Sequence, residues 1–196
     1  MAQRLPDFDP APDAPAEFVA AVEALRRARL RPEVVLEVIP PPQRLAPWTY
    51  AVAAEVVTDG DAQATGRLVL LCDPDGEPAW NGTLRLVSFA SAELDDDMVG
   101  DPLLAEVGWS WLMEALEEHG ASHTAAGGTV TQTSSVRFGD IAGPSRTVEI
   151  ELRASWTPTD AALGPHLTAW AELLCIAAGL PPPGVVVLPK RGAVRS

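Results

Sequence analysis

Residues 147–156 alternate without a break. Val148, Ile150, Leu152, Ala154 and Trp156 are apolar, and Thr147, Glu149, Glu151, Arg153 and Ser155 between them are polar. Side chains of a strand point to opposite faces in turn, so this spacing predicts a strand with one dry face and one wet face. A sheet built on such a strand needs cover on one side only. The rest of the chain has to supply that cover.

It does so with three helical segments. Phe18, Val22 and Leu25, with Val19 beside them, recur at helical spacing over residues 15–30; Pro15 suits a first turn and Pro32 stops the run. A second helix opens at Asp101-Pro102, N-cap plus first-turn proline, and Gly120 is placed to end it. A third spans 165–178, with His166, Trp170, Leu173, Leu174 and Ala177 on one side and Gly179 and Pro181-Pro182-Pro183 beyond it.

Between the helices, residues 34–39, 48–57, 67–72, 82–94, 129–138 and 147–156 read as strands, and 185–188 as a short additional edge strand. Asp59-Gly60-Asp61 joins the second and third strands. Asp73-Pro74-Asp75-Gly76 reads as the turn before the fourth. Pro40-Pro41-Pro42 ends the first strand, and the 40–47 stretch is a stiff connector or, alternatively, a polyproline ligand. Short connections between consecutive strands make a mostly antiparallel sheet. The expected class is therefore α+β, about six strands and three helices in the order helix, four strands, helix, two strands, helix. Residues 1–14 read as a flexible tail, 15–189 as one domain and 190–196 as a second tail.

Fourteen basic residues stand against twenty-seven acidic ones in 196, a net charge of −13. That balance repels phosphate and argues against nucleic acid as a partner. Arg26, Arg27, Arg29 and Arg31 cluster where a helix C-terminus favours cations, and Lys190, Arg191 and Arg195 fall in the C-terminal tail. Two cysteines a hundred residues apart make no disulfide framework, the N-terminus has no apolar leader, and no run approaches the ~20 apolar residues of a membrane span. The expected location is the cytoplasm, away from membranes.

The second helix carries two apolar stripes. Leu103, Leu104, Val107, Trp111 and Ala115 form the expected core stripe, while Trp109, Met113 and Leu116 form another on a different side. Either a neighbouring helix covers the second stripe, or it is an exposed patch that binds another subunit or a client chain.

Motifs for chemistry are missing: the sequence holds no GxGxxG after a strand, Walker loop, HExxH, CxxC or GxSxG. Asp95, Asp97, Gly100 and Glu106 match positions of a calcium loop, but Val99 offers no oxygen and a strand precedes it, so a solvated acidic loop is the better account and no metal is expected. His119 falls in a last helical turn, His123 in a Gly/Ala loop and His166 on the apolar side of the third helix; Cys72 and Cys175 read as packed hydrophobes.

Several segments taken in order carry a resemblance. They are Leu30-Arg31-Pro32-Glu33-Val34, Pro41-Pro42-Gln43-Arg44-Leu45-Ala46-Pro47, Gly66-Arg67-Leu68-Val69-Leu70-Leu71 and Asp101-Pro102-Leu103-Leu104. Trp109-Ser110-Trp111-Leu112, Gly127-Gly128-Thr129-Val130-Thr131, Arg153-Ala154-Ser155-Trp156-Thr157-Pro158 and Ala178-Gly179-Leu180-Pro181-Pro182 complete the series. Over residues 16–189 the chain resembles an actinobacterial family known as domain of unknown function three thousand. The resemblance implies a cytoplasmic bacterial protein of one domain, and it transfers no catalytic residue, cofactor or substrate.

Two functions stand open. The first is a non-enzymatic interaction or chaperone-like adaptor, a homo-dimer or a binder of another protein, working through Trp109, Met113 and Leu116. The second is a small-ligand binder or enzyme with a pocket between the sheet and the third helix, lined by Arg153, His166 and Trp170. Because Arg153 alternates to the wet strand face, that pocket requires both sheet faces to be partly covered. No cofactor is expected.

Overall fold

The computed structural model describes residues 5–94, 101–140 and 146–182. Its elements are α1 (Ala16–Arg27), β1 (Val34–Ile39), β2 (Trp48–Thr58), β3 (Asp61–Glu77) and β4 (Gly82–Leu94), then α2 (Leu104–Glu118), β5 (His123–Val136), β6 (Arg146–Pro158) and α3 (Gly164–Ala177). The six strands form one sheet in the order β1-β2-β3-β4-β6-β5, and every neighbouring pair is antiparallel. The α+β class and the element order are those the sequence predicts.

All three helices pack on one face. α3 lies between α1 and α2 and against β2, β3 and β4. Its central place explains its composition: Leu167, Ala169, Trp170, Ala171, Leu173, Leu174 and Cys175 are buried almost all round. The dry strand faces meet it, with Val148, Ile150, Leu152, Ala154 and Trp156 all in the core as the alternation requires.

Gly66 shows how closely the layers approach. A Cβ there would stand 2.7 Å from Trp170 Cζ2 and 2.9 Å from the Phe89 carbonyl, so the indole lies directly on the strand backbone.

Several expectations shift. β3 runs from Asp61 to Glu77, far beyond 67–72: pairing with β2 from Asp61 and with β4 from Ala64 extends its start, and Glu77 pairs again with Gly82 past an unpaired break at Asp73–Gly76. The Asp73–Gly76 segment is not the hairpin turn but a kink inside β3: the Asp75 N–H donates to Asp73 Oδ1 at 3.1 Å, and Gly76 has φ +78°. The turn itself is closed by the Trp80 N–H to the Glu77 carbonyl (2.9 Å) and the Asn81 N–H to the Pro78 carbonyl (3.2 Å).

α2 starts one turn later than Asp101, whose carboxylate instead accepts from the Leu103 N–H at 2.8 Å. β5 takes in residues 123–128, expected as a link, with a bulge between Thr124 and Gly127.

Residues 5–14 are not the loose tail expected of them. Leu5 is buried, and the Phe8 ring meets Phe18 and Tyr50 edge-on with centroids 6.1 and 5.6 Å apart. Apolar side chains at two positions of a Pro/Asp-rich run are enough to dock it. The acidic loop at 95–100, the edge strand at 185–188 and the basic residues Lys190, Arg191 and Arg195 lie outside the described residues.

Candidate functional site

The register of the sheet builds the site. On the face away from the helices, Arg67 pairs with Ala53 on one side and Phe89 on the other, and Phe89 pairs with Arg153. One cross-strand row therefore reads Ala53, Arg67, Phe89, Arg153. Strands lie about 4.8 Å apart, so the two arginines stand about 10 Å apart across the phenyl ring. The Arg153 guanidinium carbon is 5.6 Å from the Phe89 centroid, within cation–π range, and its Nε donates to Glu151 at 2.7 Å. Arg67 is exposed, and its side chain makes no hydrogen bond or ion pair among the described residues.

The rows on either side differ in character. Towards one strand end come Ala51, Val69 and Val87, part of a small apolar cluster with Leu71, Ile39, Ala46 and Trp80. Trp80 belongs to the β3–β4 turn and Ala46 to the β1–β2 connector, so both loops fold over this face. Towards the other end come Glu55, Thr65, Ser91 and Glu151. A groove of about 730 Å³ runs across these rows, lined by Ala53, Glu55, Arg67, Val69, Phe89 and Arg153 among others. It offers an apolar floor, a cationic and aromatic centre, and an acidic margin.

Arg85, which no sequence pattern singles out, is held differently. It donates to the Ala125 carbonyl (2.9 Å), Thr157 Oγ1 (2.9 Å) and Ser155 Oγ (2.7 Å), clamping the β5 bulge to the sheet. Burial lowers its pKa from the ordinary arginine value. Its bonds are internal to the sheet, whereas the Arg67 side chain is exposed.

The expected pocket between sheet and third helix does not assemble. His166 and Trp170 are in the core on the helix side, whereas the Arg153 side chain is on the opposite face and two-thirds exposed. The sheet itself separates them, as strand alternation demands. His166 Nδ1 accepts from Trp156 Nε1 at 3.0 Å, which puts the ring proton on Nε2; burial, the largest cause, lowers its pKa to about 4. This histidine is neutral and structural. Trp170 Nε1 is buried and finds no partner among the described residues.

The second-helix patch is also corrected. Leu116 is fully buried and cannot belong to an exposed surface. Trp109 is half-buried, with its ring over Gly128 of β5, and Met113, one turn on, shares that side. The core stripe differs too: Leu103 and Val107 are exposed, and Gly108 and Leu112 take their place against the sheet.

In the arginine cluster near α1, Arg26 and Arg31 are held by local bonds. Arg26 pairs with Glu23 (2.7 Å) and Asp7 (2.8 Å), and Arg31 pairs with Glu33 (3.3 Å) while donating to the Pro181 carbonyl (2.9 Å). His123, expected in a Gly/Ala loop, is half-buried at the start of β5 and donates from Nδ1 to the Ala121 carbonyl at 2.8 Å.

Cys72 and Cys175 are buried, and desolvation raises each thiol to about 11, the state of packed hydrophobes rather than nucleophiles. Among the described residues no three His, Cys, Asp or Glu side chains could together hold a metal ion. Of the calcium-loop candidates, Asp95, Asp97 and Gly100 lie outside the described residues and Glu106 is exposed on α2. No described helix is long and apolar enough to cross a membrane.

No curated protein and no solved structure matches the chain. A family model does, over residues 14–186, under the description "Protein of unknown function (DUF3000)". The chain belongs to that family.

Proposed function

We propose that this member of DUF3000 acts by contact, as a non-enzymatic interaction or chaperone-like adaptor that grips an extended segment of another protein in the groove over β2, β3, β4 and β6. One observation carries the reading: Arg67, without an ion pair among the described residues, projects from an apolar and aromatic floor in a protein of net charge −13. A cation kept on an acidic surface beside Val69, Val87 and Phe89 fits a ligand with a carboxylate next to an apolar side chain. The groove opens along the sheet rather than closing into a cavity, which suits a chain. Buried free thiols fit a cytoplasmic setting.

Selection of random peptides on the immobilised full chain tests this. Enriched sequences should pair Asp or Glu with a neighbouring Leu, Ile, Val or aromatic residue, and should not be retained by Arg67→Ala. No enrichment, or equal retention by Arg67→Ala, contradicts the reading.

A second reading, a small-ligand binder or enzyme at the same groove, is favoured by its size, since ligand pockets commonly hold ~300–1,000 Å³. Thermal stabilisation by a carboxylate from a metabolite panel, lost in Arg67→Ala and with no peptide enriched, would select it.

A further inference from the structure

The two edges of the sheet are built to different rules. An edge strand offers unpaired N–H and C=O groups to any passing strand, and soluble proteins blunt it with short length, charge or proline. β1 has all three: six residues, Glu37 in its middle and Pro40-Pro41-Pro42 at its end. β5 has none of them. It is fourteen residues long, contains no proline, and no Asp, Glu, Lys or Arg occurs between Glu118 and Arg137. Its outer edge pairs with no strand among the described residues, and Thr131, Gln132, Thr133, Ser134, Ser135 and Val136 are all exposed.

We propose that β5 is the interface for a second copy of this chain, joined edge to edge by antiparallel β5–β5 pairing into a continuous twelve-stranded sheet. The charge distribution selects a copy as occupant. Two molecules at −13 repel wherever acids face each other, as they would across the open face (Glu55, Glu93, Glu149, Glu151) or the β1 edge (Glu33, Glu37). The neutral β5 edge meets its own copy without that cost, and Thr129, Thr131, Thr133 and Ser135 would face hydroxyl side chains of the same kind. Trp109 and Met113, half-buried on the side of α2 that lies over β5, add apolar surface along the seam. A two-fold axis normal to the sheet keeps the helices of both copies on one side and sets one residue of β5 opposite itself.

This edge is separate from the groove, so the two proposals fail separately. Sedimentation of the full chain should give a species of twice 20.7 kDa that dissociates on dilution. Thr131→Lys with Thr133→Lys should make it monomeric with unchanged circular dichroism and melting, because Thr131 lies opposite Glu151 and Thr133 opposite Glu149 within the monomer. A single cysteine moved through positions 127–136 should give an intermolecular disulfide only at the self-opposed residue, because a same-face neighbour two positions away stands about 14 Å from its own copy; Cys72 and Cys175 are buried and do not compete. A monomer at every concentration, a dimer that survives the two lysines, or an absence of cross-linking along β5 overturns the proposal.

Discussion

Trp156 Nε1 donates to His166 Nδ1 at 3.0 Å in the core, with the two rings stacked 6.4 Å apart at 23°. The indole N–H is only a donor, so the imidazole stays neutral for the pair to persist. With the folded pKa lowered to about 4, the unfolded chain binds the proton first as pH falls. The stabilisation is complete above about 6.5, the ordinary histidine value, and is lost as pH drops from there through 4. The expected contribution is on the order of 3 kcal/mol. Urea unfolding from pH 8 to pH 4 should show this slope in wild type and a flatter one in His166→Leu. At pH 8 the variant should be less stable by about 1–3 kcal/mol, because the Trp156 N–H is left unpaired.

The Trp170 ring leaves no room for a side chain at Gly66. Gly66→Ala should cost about 1–3 kcal/mol by overpacking, read as a fall in the denaturation midpoint. Pairing it with Trp170→Leu should recover part of the loss, since the atom it strikes is then gone. An unchanged midpoint for Gly66→Ala would mean the helix layer yields more easily than the contact implies.

Arg85 and Arg67 should separate cleanly. Arg85→Met removes three hydrogen bonds that fasten the β5 bulge and is expected to destabilise by about 1–3 kcal/mol. Arg67→Ala removes no bond among the described residues, so its stability should stay within about 0.5 kcal/mol of wild type. Thermal melts of the two variants side by side check this.

Neither thiol should react in the folded protein. Cys72 and Cys175 are buried, with thiols raised to about 11 by desolvation. Alkylation should be slow in native buffer and complete for both residues in denaturant. Rapid native labelling of Cys175 would point to opening of α3.

The fold was legible because its signals are local. Alternation in β6, proline punctuation after β1 and the glycine at 120 each act within a few residues. The ends of β3 were not legible: Asp61 to Gly66 are poor strand formers that β2 and β4 hold extended, and the Asp73–Gly76 turn signal gives a kink before Glu77 pairs again with Gly82. The groove was half visible. Alternation put Arg153 on the wet face, but bringing Arg67 and Phe89 beside it needs the register of three strands, which no single strand encodes. The α2 patch failed for a related reason. Helical spacing finds Trp109, Met113 and Leu116 on one side, yet does not say that the protein's own packing buries Leu116 and that Gly128 lets the sheet reach the Trp109 ring.

Arg67 and the apolar floor beside it are proposed as a surface for a partner. Calorimetric titration of a selected acidic–apolar peptide into the full chain and into Arg67→Ala tests it most directly. A charge-assisted bond at Arg67 predicts affinity at least about tenfold weaker in the variant, with folding unchanged. Equal affinity for the two proteins would contradict the account.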